Sequence, residues 1–350
     1  MTKKGQRPTL TESAWVPAAA RAEFAATSGA EGTEPEGGVS AYDEQLLRFG
    51  GDVSRETPPV APLPRPASPR VIAVSNQKGG VGKTSTAVNL AAALAEGGLT
   101  VLVIDMDPQG NASTALGVDR HAEGLLGVYD VLAGDRPLLR TVRPCPDIPD
   151  LWVAPATIDL AGAEIELVTI DHREYRLRSA VERLRVQLER NRIGPPDFIL
   201  IDCPPSLGLL TLNALVAADE VLIPIQCEYY ALEGLTQLVR TVRLVQAGLN
   251  PALTLGAILL TMYDGRTRLA AQVADEVRTH FPDSVLAATI PRTVRISEAP
   301  SYGQSVITYD PSGVGARAYR DAAGEVAARA AATRPGPDDI DTARSEASLS

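Results

Sequence analysis

The stretch Val71-Ile-Ala-Val-Ser-Asn-Gln-Lys78-Gly-Gly-Val-Gly-Lys83-Thr84 predicts a strand, a glycine-rich loop and the beginning of a helix. Residues 71–74 are an apolar run with β-branched side chains, and the Ala- and Leu-rich segment after Thr84 has a helical pattern. Glycines let backbone amides approach an anion, and the positive end of the following helix adds to the attraction. The stretch therefore predicts a phosphate-binding loop in an α/β fold.

Lysine is rare in this chain, which holds four: two near the amino terminus, and Lys78 and Lys83 in the loop. After residue 70 every other fixed positive charge is an arginine. An ammonium is a compact charge on a flexible stem, which suits a loop wrapped tightly around phosphate. We expect Lys83 to contact the β- and γ-phosphates of a nucleotide and Thr84 to ligate Mg²⁺. The common form of this loop has a glycine where this chain has Gln77.

Composition divides the 350 residues into three segments. Residues 1–70 are rich in Pro, Gly and Ala, which predicts a disordered tail with room for one short helix at 40–49. Residues 71–333 are long enough for one α/β domain, and residues 334–350 form a loose acidic end. The net charge of −10 argues against a protein that coats nucleic acid through bulk charge, but it is compatible with a local basic face.

The cysteines and the hydropathy narrow the class of protein further. Cys145, Cys203 and Cys227 have neither paired nor metal-like spacing, which fits a reduced cytoplasm. No apolar stretch approaches 18 residues, and no signal peptide is visible, so we expect no membrane association.

Apolar runs alternate with helical patterns along the middle segment. Strands are predicted at 71–74, 100–104, 151–153, 198–201, 220–225, 254–260 and 285–289, and helices at 84–96, 173–190, 207–217, 229–248, 267–280 and 314–332. This alternation predicts an α/β fold: a doubly wound, mostly parallel sheet with helices on both faces. Ligands of such sheets bind at the carboxyl ends of the strands.

Acidic residues follow two of the predicted strands at that edge. Asp105 and Asp107 come after the strand at 100–104, and Asp202 ends the buried strand at 198–201. A carboxylate at such a position can orient an attacking water, which we predict for Asp107. Asp202 has the position of a carboxylate that holds Mg²⁺ beside a phosphate loop.

These motifs together resemble one protein family. The segment from Lys78 to Thr84 is similar to the deviant Walker A motif of the ParA/Soj family of chromosome- and plasmid-partition ATPases. The run Asp-Met-Asp-Pro-Gln-Gly-Asn at 105–111 resembles the first switch of that family, and Cys-Pro-Pro-Ser at 203–206 resembles the second. The resemblance covers about residues 71–332 and implies the P-loop NTPase fold of the deviant Walker A type.

The resemblance also implies roles for individual residues. Lys78 would reach across a dimer to the nucleotide of the partner subunit, Asp107 would position the water, and Asp105 would support the Mg²⁺ shell. In the family the segment at 226–235 lies on the dimer side, and the segment after residue 290 cups the adenine. The implied nucleotide-binding residues are Lys78, Gly79, Gly80, Val81, Gly82, Lys83, Thr84, Ser85, Pro291 and Thr293. The family usually has Asn where this chain has Thr293.

The family resemblance implies partners as well. Arg266 and Arg295 match the arginines with which ParA relatives bind double-stranded DNA without reading its sequence. Arginine suits such contacts because its planar guanidinium binds phosphate in a bidentate manner. The implied cycle is a homodimer that forms on ATP binding, binds DNA on the nucleoid in the cytoplasm, and hydrolyses ATP slowly until a ParB-type centromere-binding protein stimulates it.

Three other functions are compatible with a phosphate loop of this kind. A membrane-positioning ATPase of the MinD kind needs a basic amphipathic helix at its carboxyl terminus, whereas this chain ends in an Ala-rich and then a Pro- and Asp-rich segment. An iron–sulfur or metal-cofactor ATPase needs cysteines placed to bridge a dimer, and Cys145, Cys203 and Cys227 do not present such a pair. A scaffold without catalysis needs none of the residues Lys83, Thr84, Asp107 and Asp202, all of which are present.

Overall fold

A computed structural model describes residues 61–229 and 231–332, and their eight strands form one sheet. In chain order the strands are β1 (Arg70–Val74), β2 (Val101–Asp105), β3 (Arg143–Pro144), β4 (Leu151–Ala154), β5 (Phe198–Asp202), β6 (Glu220–Gln226), β7 (Thr254–Tyr263) and β8 (Val285–Pro291). Across the sheet the order is β3-β4-β2-β5-β1-β6-β7-β8. β3 is antiparallel to β4, and every other pair is parallel.

The helices connect the strands on both faces of the sheet. They are α1 (Lys83–Glu96), α2 (Asn111–Ala115), α3 (Val128–Leu132), α4 (Leu138–Thr141), α5 (Leu160–Glu166), α6 (Arg176–Arg190), α7 (Leu209–Ala217), α8 (Ala231–Gly248), α9 (Arg268–His280), α10 (Val294–Glu298), α11 (Val306–Tyr309) and α12 (Val314–Ala332). No helix within the described ranges combines the length and the apolar character that crossing a bilayer requires.

Alternate residues of the strands enter two separate hydrophobic cores, one on each face. In β1, Val71 and Ala73 pack with α6, α7 and α8, while Ile72 and Val74 pack with α1 and α12. Because both faces are covered, the central strands are continuous apolar runs: all five residues of β5 are buried, and the four before Asp202 are apolar. The predicted class, a doubly wound and mostly parallel sheet, is confirmed, and so are the seven predicted strands.

The sheet order reverses beside β1, and this places the predicted site residues together. The chain adds β5, β2 and β4 on one side of β1, and β6, β7 and β8 on the other. The register aligns Val74 with Asp202, and Asp202 with Asp105. The ends of β1, β5 and β2 therefore lie level at the carboxyl edge, where the order reversal opens a crevice for a ligand.

The folded body begins earlier than the predicted boundary at residue 71. Leu63 N donates to Gly97 O over 3.0 Å, and Arg65 donates to Asp197 over 2.5 Å and to Gly98 O over 2.7 Å. The Leu63 side chain lies so close to Gly97 that a Cβ there would overlap it. The packing of residues 61–69 could not be predicted from the sequence, because a segment with alternating prolines has the composition of a disordered tail. Residues 1–60, with the predicted helix at 40–49, and residues 333–350 lie outside the described residues.

We predict that Leu63→Ala lowers the free energy of unfolding by about 1 kcal/mol, since it removes a half-buried aliphatic side chain from the end of α1. Urea denaturation measures the change. The matched control is Leu244→Ala, which truncates a leucine that is 69% exposed and should shift the free energy by less than about 0.5 kcal/mol. Equal effects of the two substitutions would show that the packing of residues 61–69 makes no specific contribution to the free energy of unfolding.

Candidate nucleotide-binding site

The loop between β1 and α1 has the conformation of an anion cradle. Gly80 and Gly82 have φ angles of 76° and 87°, in the left-handed region that other residues rarely adopt. Thr261 Oγ1 on β7 donates to Val81 O over 2.8 Å and fixes the middle of the loop. A Cβ added at Gly79 or Gly80 would meet no atom within 4 Å, so open space lies against the loop where a phosphate group fits.

The two lysines of the loop point in different directions. Lys83 is 7% exposed, and its Nζ donates to Lys78 O over 3.1 Å, so its ammonium lies within its own loop. Burial lowers the pKa of Lys83, and the charge of Asp202 opposes part of that shift. The Lys78 ammonium instead leaves the loop and forms an ion pair of 2.5 Å with Glu228, just after β6. Both partners of that pair are about half exposed.

Asp202 is fully buried at the end of β5, and neither of its carboxylate oxygens has a hydrogen-bond partner of good geometry among the described residues. Burial, reinforced by the charge of Asp105, raises the pKa of Asp202 well above its usual range, although the Thr84 hydroxyl and Lys83 oppose the shift. A carboxylate with unused oxygens beside a threonine hydroxyl is an oxygen donor set of the kind Mg²⁺ prefers. Asp202 and Thr84 therefore fit the predicted metal site.

Asp105 has a different environment from the one expected of a metal-shell residue. Its Oδ2 accepts hydrogen bonds from Ser113 Oγ (2.6 Å) and Ser113 N (2.8 Å), and its Oδ1 accepts one from Asp107 N (3.2 Å). Burial raises its pKa to about 6. Both oxygens of Asp105 therefore accept hydrogen bonds from its own chain, in which they hold the turn after β2 and the start of α2 together, and its support of the Mg²⁺ shell stays a prediction.

Asp107 lies in a tight turn directly after β2. Its Oδ1 accepts a hydrogen bond from Gln109 N (2.9 Å), and its carbonyl accepts one from Gly110 N (2.8 Å). The carboxylate is 8% exposed and is close enough to Lys83 and Asp202 to influence the pKa of each. The turn thus holds Asp107 at the carboxyl edge, beside the phosphate loop and the metal site.

The predicted adenine contacts lie at the same edge but in another part of the sheet. Pro291 ends β8, which is three strands from β1, a separation of about 14 Å at ordinary strand spacing. Thr293 Oγ1 accepts a hydrogen bond from Ile296 N over 3.4 Å and caps α10. The half-buried Thr293 side chain therefore has a local structural role, and its contact with a base stays a prediction.

The two predicted DNA-binding arginines follow neighbouring strands, β7 and β8. Arg266 is 91% exposed and makes a bidentate pair with Asp264 (2.9 and 2.8 Å), which lowers the pKa of Asp264 to about 2. Arg295 lies 3.3 Å from Glu298, with its guanidinium 5.8 Å from the centre of the Tyr309 ring. Both guanidinium groups are thus exposed on one edge, each beside a carboxylate of its own chain.

Three residues that support the site had no assigned role in the sequence analysis. Thr261 holds the phosphate loop, Glu228 pairs with Lys78, and Arg120 contacts the turn that carries Asp107. Glu228 lies in the segment that resembles the dimer side of the ParA/Soj family, so the resemblance could have indicated a role for it. No local motif marks Arg120 or Thr261. Thr261 is 180 positions from Val81, and Arg120 is 36 positions from Ala156, so neither contact leaves a short sequence pattern.

Comparison with known proteins places the chain among partition ATPases. A family model described as an AAA domain (AAA_31) matches residues 69–255. The sporulation initiation inhibitor protein Soj of Bacillus subtilis is 53% identical over 259 residues, which are 74% of this chain and 98% of Soj. The chromosome partitioning protein ParA of Caulobacter vibrioides is 52% identical over 260 residues, which are 74% of this chain and 94% of ParA.

A solved structure supports the same fold. Cobyrinic acid a,c-diamide synthase from Mycobacterium smegmatis, crystallised with ADP and magnesium, superposes with a TM-score of 0.61 at 40% identity. The match covers 73% of this chain and 93% of that one. Soj and ParA are more similar to this chain in sequence than the synthase is, so the comparison of function rests on them.

We predict opposite effects for two isosteric substitutions in the acidic centre. Asp202→Asn should raise the melting temperature of the nucleotide-free protein by about 3 °C, because it removes a buried, unpartnered charge worth about 1 kcal/mol or more. Asp105→Asn should lower the melting temperature, because an amide cannot accept from Ser113 and Asp107 as the carboxylate does.

Differential scanning calorimetry with and without Mg²⁺ and an ATP analogue measures both effects. The gain in melting temperature from Mg²⁺ should be smaller in Asp202→Asn than in the wild type. A full Mg²⁺-dependent gain in that variant, or a lowered melting temperature without ligand, would contradict the assignment of Asp202 as the metal-binding carboxylate.

Proposed function

This chain belongs to the ParA/Soj family of chromosome-partitioning ATPases, and on that premise we propose that its ATP-bound form is a DNA-binding homodimer that hydrolysis resets. The observation that carries the proposal is the divergence of the two loop lysines. Lys83 lies buried in its own loop, whereas Lys78 extends away from it on the exposed side. Lys83 binds the nucleotide of its own subunit, and Lys78, whose ammonium lies outside the loop, reaches the nucleotide of the partner subunit in the dimer.

The residues at the carboxyl edge divide the hydrolytic work among them. The loop amides and Lys83 bind the β- and γ-phosphates, and Ser85 follows Thr84 in the first turn of α1. Asp202 and Thr84 hold Mg²⁺, which neutralises charge on the phosphates when it is bound. Asp107 orients the attacking water at the end of β2. Because the reaction depends mainly on positioning, we expect slow turnover until a partner completes the site.

The positions of Arg266 and Arg295, just after β7 and β8, support the proposal that the dimer binds DNA. Two arginines per subunit give weak, salt-sensitive binding that does not depend on base sequence. A dimer doubles the number of contacts on one DNA molecule, so ATP-dependent dimerisation raises the affinity sharply. We propose that a ParB-type protein stimulates hydrolysis and that the protein resides in the cytoplasm on the nucleoid.

The last helix of the described residues, α12, bears on the MinD-like alternative. The small apolar side chains of α12, with Tyr319 among them, are buried in the core that this helix shares with α1 and β8. An amphipathic helix that binds a membrane must present its apolar face to lipid. Since α12 uses that face for packing, we favour DNA over a membrane as the surface on which the dimer acts.

We predict that Glu228→Gln favours dimerisation, because Lys78 must leave Glu228 before it reaches the partner subunit. An exposed ion pair contributes about 0–1 kcal/mol, so the ATP concentration for half-maximal dimerisation should fall by a factor of about two to five. Sedimentation velocity across an ATP titration measures this. Glu233→Gln, which removes an exposed charge on the first turn of α8, is the control and should leave the midpoint unchanged. Weaker dimerisation of Glu228→Gln would contradict the competing role.

We also predict that the double substitution Arg266→Glu/Arg295→Glu abolishes DNA binding in the ATP state. Gel shifts of random-sequence duplex DNA with ADP, ATP and a slowly hydrolysed analogue, at two salt concentrations, measure the effect. The control is Arg178→Glu/Arg190→Glu on α6, which changes the net charge by the same amount at another surface. Binding that persists in the first variant, or is lost equally in both, would contradict a DNA face at β7 and β8.

A further inference from the structure

The Arg120 side chain joins the turn after β2 to the chain that follows β4. Its guanidinium donates to Pro108 O (2.9 Å) and Gln109 O in the turn, and its Nε donates to Ala156 O (3.2 Å). Pro108 and Gln109 directly follow Asp107, and Ala156 lies two residues beyond the end of β4. One half-buried arginine therefore connects three backbone carbonyls from two neighbouring segments of the carboxyl edge.

A second link joins the same two segments. Ser113 Oγ accepts a hydrogen bond from Ala156 N (3.0 Å) and donates one to Asp105 Oδ2 (2.6 Å). The N–H of Ala156 is thus linked through Ser113 in α2 to Asp105 at the end of β2, and its carbonyl is linked through Arg120 to the turn that follows Asp107. Ala156 itself is fully buried, so it provides a fixed point.

The packing around the guanidinium is close. A Cβ added at Gly110 would overlap Nε of Arg120, and Gly110 has a φ of 61°. The turn from Asp107 to Gly110 also has an internal hydrogen bond of 2.8 Å from Gly110 N to Asp107 O. That internal bond fixes the shape of the turn, whereas Arg120 fixes its position relative to the end of β4.

We propose that Arg120 is a positioning residue for ATP hydrolysis: it holds the turn that presents Asp107, without touching nucleotide, metal or water. The inference rests on the proposed function, since it assigns Asp107 the orientation of the attacking water. A phosphoryl-transfer site gains most of its rate from the placement of groups, and a misplacement of about 1 Å can cost up to about a hundredfold in rate. A guanidinium suits this task because its planar fork donates to several carbonyls at once.

Arg329 provides a matched control. Its guanidinium also donates to backbone carbonyls, those of Gly256, Asp283, Ser284 and Val285, with distances of 3.0–3.4 Å. These carbonyls lie near the beginnings of β7 and β8, at the opposite edge of the sheet. Loss of Arg329 therefore removes a similar set of contacts without disturbing the carboxyl edge.

The test compares Arg120→Ala, Arg120→Lys and Arg329→Ala in the full chain. For each we would measure kcat and KM for ATP, the affinity for a slowly hydrolysed ATP analogue with Mg²⁺, and the midpoint of urea unfolding. We expect Arg120→Ala to lower kcat by about tenfold, with KM and analogue affinity within about twofold of the wild type. Arg120→Lys should recover part of the rate, and Arg329→Ala should lower only the unfolding midpoint.

Hydrogen exchange separates this inference from the proposed function. In Arg120→Ala without nucleotide, the amides of Gln109 and Ser113 should exchange faster, while those of α12 stay unchanged. Unchanged exchange at both amides, or a wild-type kcat in Arg120→Ala, would overturn the positioning role while the ATPase activity stands. A fall in kcat matched by equal losses of analogue affinity and stability would reduce Arg120 to a structural residue. Absence of turnover in the wild type would overturn the proposed function, and the role of Arg120 with it.

Discussion

The structure depends on a concentration of charge that the parallel register imposes at one edge of the sheet. Aligning β1, β5 and β2 brings the end of the phosphate loop strand level with Asp202 and Asp105. Asp107 and the buried Lys83 lie at the same edge, and the charges of Asp202 and Asp107 both act on the Lys83 ammonium. Burying such groups is costly unless each is paired, and Asp202 is the one left without a partner of good geometry in the described chain. A divalent cation and a polyphosphate relieve that cost, so ligand binding also stabilises the fold.

The two halves of the sheet have different tasks, and the β1–β6 ladder and both hydrophobic cores join them. The half with β1, β5 and β2 supplies the phosphate loop and the acidic centre. The half with β6, β7 and β8 supplies Glu228, the proposed adenine contacts and the exposed arginines. The bond from Thr261 on β7 to Val81 in the loop crosses the boundary, and so does the ion pair between Lys78 and Glu228. The phosphate loop is therefore in direct contact with β7, the strand that Arg266 follows.

Much of this arrangement was predictable from local sequence because its signals are short in range. Strands that are buried on both faces are runs of apolar residues, so their positions can be predicted from the local sequence. The phosphate loop and Asp202 are recognisable because each motif lies next to the strand that positions it. The two-residue strand β3 gave no signal, since Arg143 and Pro144 have no strand pattern.

The features that the sequence did not show depend on pairs of residues brought together by the fold. Lys78 and Glu228 are 150 positions apart, and Arg120 meets Ala156 only because β4 lies beside β2. Asp105 has the sequence position of a metal-shell residue, and only the return of the chain through Ser113 shows the hydrogen bonds that its carboxylate accepts. The docking of Leu63 on Gly97 is hidden in the same way, because a proline-rich segment has the composition of a tail whether or not it packs.

The central claim is that nucleotide bound at this edge of the sheet controls association of two subunits. The most direct test is the molecular mass in solution, measured by sedimentation without nucleotide, with ADP and Mg²⁺, and with a slowly hydrolysed ATP analogue and Mg²⁺. We expect the monomer mass of 36.9 kDa in the first two conditions, about twice that mass in the third, and a monomer in all three for Lys78→Ala. The same mass for the wild type in every nucleotide state, with nucleotide binding confirmed, would contradict it.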